Sequence, residues 1–239
     1  MTQPQVFIPF PEPLLPATFL GRRQRFLADM EFPDGSRTVA HCPNTGSMQG
    51  CLFPGHQALL WDSENPKRKL RYTWKAIQGD DGVWIGIDTG VPNQLAAEAV
   101  RAGVVPALAG YPEVLREKKM GEHSRVDLLL RDGDRICFVE VKNVTLVEAG
   151  TARFPDAVTT RGLKHLEELS AQVAAGHRAA MLYVVQRGDG TRFEPAADID
   201  PAYAEGLRRA VSAGVAAYAL GCEVTPEGVA TKGLLPVSL

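Results

Sequence analysis

Apolar positions in the first 85 residues fall into short runs, among them VFIPF, RTVAHCP, HQALLWD and RKLRYTWKAI, with Pro and Gly between them. None of these runs keeps a helical period. Strand-sized runs at short spacing, separated by turn residues, predict a small antiparallel barrel or sandwich. Gly79-Asp80-Asp81-Gly82 lies between KLRYTWKAI and VWIGID and predicts a hairpin with a four-residue loop. Alternation over 69–75 puts Lys69, Arg71, Thr73 and Lys75 on one face and Leu70, Tyr72 and Trp74 on the other. That predicts a strand with a wet face and a core face.

From about Pro92 the pattern changes. Asn93–Arg101 predicts a short helix with Leu95, Ala96, Ala99 and Val100 as its apolar stripe and Glu98 at the flank. Strands are predicted at 113–120, 124–131 and 136–147, the last two joined by an Asp132-Gly133-Asp134 hairpin. A helix follows over 159–175, with Leu163, Leu166, Leu169 and Val173 inward, Thr159 or Thr160 as cap and Gly176 as stop. AAMLYVVQ at 179–186 has the make-up of a buried strand. Asp200 and Pro201 open a helix that ends at Gly214, and a last strand is expected over 215–224. Helix, three strands, helix, strand, helix, strand predicts an α/β domain with a central mixed sheet. The chain thus divides into 1–85 and 86–239.

Composition narrows the class. Of 239 residues, 45% are apolar and 23% charged, with a formal net charge of −2. These figures exclude a disordered chain, a disulfide miniprotein and a protein basic all over. Cys42, Cys51, Cys137 and Cys222 form no Cys-x-x-Cys pair, so no zinc site is expected and reduced thiols of a cytoplasmic protein are. The proline-broken N-terminus has no signal-peptide pattern, and no apolar run approaches a membrane span.

Charge is distributed unevenly. Residues 1–77 hold nine Lys or Arg against six Asp or Glu. Two clusters stand out: Arg22, Arg23 and Arg25 beside Phe26, and Lys67, Arg68, Lys69 and Arg71 beside Tyr72 and Trp74. Solvated strand faces account for such runs, and so does a phosphate-tracking surface on a small barrel.

The second half carries the candidate chemistry. In ICFVEVKNVTLV, Glu140 and Lys142 share one face of an apolar strand while Val139 and Val141 take the other. Asp127 lies across the hairpin, within reach of Glu140 if the register allows. Two adjacent carboxylates suit Mg2+ or Mn2+, and a neighbouring lysine can orient a water or stabilise a phosphate. Asp127, Glu140 and Lys142 are therefore the candidate catalytic set, with Glu98 as a third carboxylate for the metal. A cross-strand ion pair on a solvated face is the plainer alternative, but charges in so apolar a strand are costly without purpose. Gln186 is a candidate supporting group. His165, Arg161, Lys164 and Glu168 read as a solvated helix face. There is no Ser/His/Asp pattern, Walker loop or dinucleotide fingerprint, and no organic cofactor is expected.

HCPNTGSMQGC, NPKRKLRYTWKA, GIDTGVPNQLA, EVKNVTLVEAGTARFPDAVTTRGLKHLEEL and DIDPAYAEGL resemble the sugar fermentation stimulation protein A family, over nearly the whole chain. The resemblance implies an N-terminal OB-fold barrel and a C-terminal PD-(D/E)xK nuclease-like domain. It implies DNA as partner and a regulatory link to maltose and sugar metabolism in bacteria. The nuclease-fold motif falls on Asp127, Glu140 and Lys142, with Glu98 at the acid of the first helix. Val126 stands where the motif has proline. Two functions follow: a DNA-binding regulator without turnover, and a Mg2+- or Mn2+-dependent nuclease. A small-molecule hydrolase using the same acidic pocket is a third. DNA binding is expected to depend on Mg2+, because the second half is acidic. No membrane partner is expected, and a homodimer is compatible with the sequence.

Overall fold

The structure is a computed structural model that describes residues 4–120 and 124–239. The first strand, β1 (Phe7–Pro9), is followed by β2 (Leu14–Arg23), β3 (Leu27–Glu31), β4 (Arg37–His41), β5 (Gln57–Asp62), β6 (Tyr72–Gln78) and β7 (Trp84–Gly86). Strands β2 to β7 form a sheet in the order β4-β3-β2-β5-β6-β7. A parallel contact between His41 on β4 and Thr73 on β6 closes five of these strands into a barrel. Its interior holds Phe19 stacked on Trp74, with ring centroids 4.7 Å apart, and Met30, Leu60 and Ile77 around them. This is the OB-type barrel expected.

Two local expectations change. VFIPF does not join the barrel: β1 pairs antiparallel with the final strand, β16 (Gly228–Leu235), through Ile8 and Val229. Ile8 and Phe10 are buried there, in the core of the second half, so the fold of that half begins with the N-terminal strand. The wet face over 69–75 holds only for Lys69 and Arg71. Strand β6 starts only at Tyr72, and both Thr73 and Lys75 are buried. Lys75 Nζ lies 2.5 Å from Asp88 Oδ2 and 5.2 Å from the Trp61 ring centroid, so an acid and an aromatic from neighbouring segments cover it.

The second sheet has seven strands in the order β1-β16-β15-β13-β10-β9-β8. Its remaining members are β8 (Glu113–Met120), β9 (Ser124–Asp132), β10 (Arg135–Val144), β13 (Arg178–Val185) and β15 (Ala216–Thr225). Helix α1 (Gly90–Arg101) covers one face, where Leu95, Ala96 and Val100 meet Val139, Val141 and Leu182. Helices α2 (Thr160–Ala174) and α3 (Pro201–Ser212) cover the other, where Leu166, Leu169 and Leu207 meet Met181 and Val185. Thr159 caps α2 by accepting from Gly162 N at 3.0 Å. Asp200 caps α3 by accepting from Tyr203 N at 3.0 Å, and its other oxygen takes Thr159 N at 2.8 Å. One carboxylate therefore fixes the starts of both helices.

The strand expected over 136–147 is broken at Thr145. Leu146–Glu148 becomes β11, which with β12 (Thr151–Phe154) and β14 (Arg192–Pro195) makes a separate three-stranded sheet. The barrel is stitched to the seven-stranded sheet at Gly86, whose N–H donates to Gln186 O at 2.9 Å. A Cβ on Gly86 would lie 2.6 Å from Gln186 Oε1, so a larger residue there would displace the Gln186 side chain. All four cysteines are free and buried. Among the described residues no helix is long and apolar enough to cross a membrane.

Candidate functional site

Strands β9 and β10 pair only as far as Leu128 opposite Val139. Beyond that point they part, and the side chain of Asp127 fills the gap. Its Oδ2 accepts from Val141 N at 2.8 Å, a backbone donor that would otherwise seek a ladder partner. Its Oδ1 accepts from Asn93 Nδ2 at 3.0 Å, in the first turns of α1. Burial raises the Asp127 carboxyl above its usual range, and the Glu140 charge adds to the rise.

Glu140 is 2% exposed. Its Oε1 accepts from Lys142 Nζ at 2.7 Å and from His165 Nδ1. Its Oε2 is buried with no hydrogen-bond partner. Arg161 Nε donates to His165 Nε2 at 3.4 Å, so the ring proton belongs on Nδ1, where it is given to Glu140. Burial by itself would raise Glu140, but the His165 hydrogen bond and the Lys142 ammonium hold it below the usual carboxylate range. Asp127, Glu140 and Lys142 are thus brought together in the interior of β9 and β10, between the start of α1 and α2. Glu140 Oε2 and the second lone pairs of the Asp127 oxygens are its open acceptors.

A family model described as the sugar fermentation stimulation protein RE domain matches residues 90–228, and the SfsA N-terminal OB domain matches residues 20–87. The chain belongs to the sugar fermentation stimulation protein family. A sugar fermentation stimulation protein homolog from Geotalea uraniireducens is 52% identical over 229 residues, spanning 96% of this chain and 99% of its own. One from Rhodospirillum centenum is 54% identical over 231 residues, with the same two coverages of 96% and 99%. Among solved structures, Pyrococcus furiosus SfsA in complex with Ca2+ superposes with a TM-score of 0.86 at 29% identity, covering 97% of this chain and 98% of that one.

Not every residue expected at the site of this family member is brought to it. Glu98 pairs with Arg101 Nη1 at 2.5 Å, and its side chain is 45% exposed. Glu98 lies five residues beyond Asn93, roughly 140° further round the helix at about 100° per residue. The α1 residue that reaches Asp127 is therefore an amide, Asn93, and not the acid. Gln186 is wholly buried and bridges Asp88 O and Asn143 Oδ1 through its Nε2, at 3.3 and 2.8 Å. It braces the seam between the barrel and the sheet.

His165 corrects the reading of α2 as a solvated face: it is buried and bonded to Glu140. The signal was present in the spacing. Gly162, His165, Leu166 and Leu169 are the buried positions of α2, a regular i, i+3, i+4, i+7 stripe in which the histidine stands among apolar residues.

The barrel uses its cations unequally. Arg22 is spent on its own loops, donating to the carbonyls of Arg25, Asn44, Gly46 and Ser47 at 2.7 to 3.2 Å. Arg23 pairs with Asp29, and Arg71 with the buried Asp62. Arg68 donates to Thr73 Oγ1 and lies over the Trp61 ring. Arg25, Lys67 and Lys69 are exposed, and none has an acidic partner among the described residues.

Proposed function

We propose that the protein binds DNA at the junction of the barrel and the seven-stranded sheet, as a regulator tied to sugar metabolism, with a divalent cation held by Asp127 and Glu140 beside a backbone phosphate. The observation that carries this reading is Glu140 Oε2, a buried carboxylate oxygen without a partner at the meeting point of two acids and a lysine. A buried acceptor left unmatched is costly, and a hard cation would satisfy it. Two carboxylates with several waters are the usual protein share of a Mg2+ or Mn2+ site. The Ca2+ in the P. furiosus SfsA structure supports a family site of this kind. Exposed Arg25, Lys67 and Lys69 supply phosphate contacts without first breaking an ion pair. The family name supports the tie to sugar fermentation, and maltose genes are the expected target.

A second reading, metal-dependent DNA cleavage, is favoured by the placement of Lys142. Its ammonium is bonded to Glu140 at 2.7 Å, and its side chain keeps 15% exposure where that of Glu140 keeps 3%. A bound cation supplies charge neutralisation and an acidified water. Lys142 would hold that water or the phosphate oxygen in place, Glu140 would stay ionised under His165, and Asn93 would keep Asp127 oriented.

One gel separates the two readings. Labelled single-stranded and duplex DNA are incubated with protein in Mg2+, Mn2+, Ca2+ or chelator, beside Lys142→Ala. A mobility shift that weakens in chelator, with DNA intact in every lane, is the outcome expected of a binder. Cutting in Mg2+ or Mn2+ that disappears in Lys142→Ala establishes the nuclease. A gel with neither a shift nor cutting in any cation overturns both.

A further inference from the structure

A cavity of about 210 Å3 with mixed polar and apolar walls opens between the barrel loop at Asn44 and Gly46, the start of α1 at Thr89, the end of β10 and the residues after it from Asn143 to Leu146, and Arg153, Phe154 and Asp156. Both halves of the chain build it. Asn143 lies on the face of β10 opposite to Lys142, the face that α1 covers, and Thr89 precedes Asn93, the partner of Asp127, by one helical turn. We infer that this cavity receives a single unpaired nucleobase, so that the ligand is single-stranded DNA. The inference rests on the DNA-binding reading and narrows it.

The walls are preformed. Arg22 ties down the carbonyls of Asn44, Gly46 and Ser47. Ser47 Oγ donates to Asp156 O at 2.7 Å, and Met48 N donates to Asp156 Oδ2 at 2.9 Å. Ordering paid in the folded protein is not charged to binding.

The unused hydrogen-bonding groups have a definite pattern. Gln186 Nε2 must be a donor, because one of its contacts is the Asp88 carbonyl. Asn143 therefore presents Oδ1 to Gln186 and keeps its Nδ2 hydrogens for the cavity. Asn44 Oδ1 accepts from Gly46 N at 2.9 Å, which leaves its Nδ2 free as well. Asp156 has Oδ1 to spare as an acceptor. Phe154 lines the cavity with its ring held against Tyr203 and Tyr183, at centroid distances of 5.2 and 5.7 Å.

The charge argues against a phosphate here. Arg153, a cation in the cavity wall, is committed to Glu148 and Asp198. Neutral donors, one acceptor and a ring match the edge and face of a base. The size argues against a base pair. A cavity of about 210 Å3 falls short of the roughly 300 Å3 where drug-sized ligand sites begin, and holds one ring system.

The test uses the intact chain in Ca2+ and fluorescence anisotropy. Three probes of about twelve nucleotides, within the footprint of an OB domain, are compared: oligo-dT, an abasic strand of identical charge, and a duplex. The abasic strand is expected to bind about tenfold more weakly than oligo-dT, with the same dependence on salt. Asn143→Ala should weaken oligo-dT similarly and leave the abasic strand unchanged, a coupling that misfolding would not produce. Equal affinity for oligo-dT and the abasic strand overturns the inference while leaving DNA binding intact. No binding of any probe overturns the DNA reading itself.

Discussion

The two sides of the acid centre hold chemically similar groups in opposite states. On the α1 side, Asp127 meets only neutral donors, the Asn93 amide and Val141 N–H, and its carboxyl is raised by burial and by Glu140. On the α2 side, Glu140 is the more deeply buried of the two, yet an imidazole N–H and an ammonium hold it low. Burial penalises both anions. What separates them is whether the neighbouring helix contributes an amide or a histidine, and whether the strand adds a lysine. The ionised Glu140 therefore supports the fold, and the ionised Asp127 works against it. A cation between them would relieve Asp127 most.

The largest expected effect comes from removing the stabilised charge. Glu140→Gln leaves the Lys142 ammonium buried without its anion, a loss of about 3 kcal/mol for a broken buried pair. At about 2–4 °C per kcal/mol for a chain of this size, the melting temperature at pH 7 should fall by roughly 6–12 °C. The sign with pH follows from the lowered carboxyl. Its contribution is complete above the unfolded value of about 4.3 and is lost as pH falls through the folded value. The gap between wild type and Glu140→Gln should therefore close on acidification. Equal melting temperatures at pH 7 would show that the α2 side does not hold this acid ionised.

His165→Ala sharpens the comparison by making the α2 side resemble the α1 side. It removes the donor to Glu140 Oε1 and keeps Lys142. A hydrogen bond to a charged group contributes about 1.5–3 kcal/mol, so the fall in melting temperature should be smaller than for Glu140→Gln. Glu140 should also titrate at higher pH, so acid unfolding begins earlier. Thermal scans from pH 3 to pH 7 read both effects (the range brackets ordinary carboxylate titration). An acid limb that does not move would assign the low state of Glu140 to Lys142 alone.

The expectations that held rest on patterns set by the chain itself. Alternation in ICFVEVKNVTLV placed Glu140 and Lys142 on one face, and the Asp132-Gly133-Asp134 turn delivered Asp127 across the hairpin. The barrel followed from the spacing of short apolar runs. The expectations that failed depend on long-range partners. VFIPF has an ordinary strand pattern, but its partner lies 219 to 223 residues away, from Pro9 paired with Gly228 to Phe7 paired with Ala230. Lys75 looks solvent-facing until Asp88 and Trp61 cover it. Glu98 has the right chemistry on the right helix but the wrong azimuth, which a helical wheel counted from Asn93 exposes only once Asn93 is known to face Asp127. His165 was missed because a histidine in an apolar stripe was assigned by its polarity and not by its position.

Asp127→Asn is the smallest expected effect and carries the opposite sign. For a raised acid, the folded state holds the proton more tightly than the unfolded chain, so stability falls as pH climbs through the unfolded and then the folded value. The amide removes that penalty. It can still accept from Val141 N through its one oxygen, and Asn93 can turn its own oxygen toward the new amide N–H, so both hydrogen bonds survive. At pH 7 the melting temperature should match or slightly exceed that of wild type, by about 2 °C at most. In acid, where Asp127 is protonated in both states, the two proteins should coincide. Cation binding should move the other way: a Mn2+ titration by calorimetry should show affinity lost in a protein as stable as wild type. A melting temperature several degrees below wild type at pH 7 would mean that ionised Asp127 holds the parted strands together, and the two sides of the centre would then be alike.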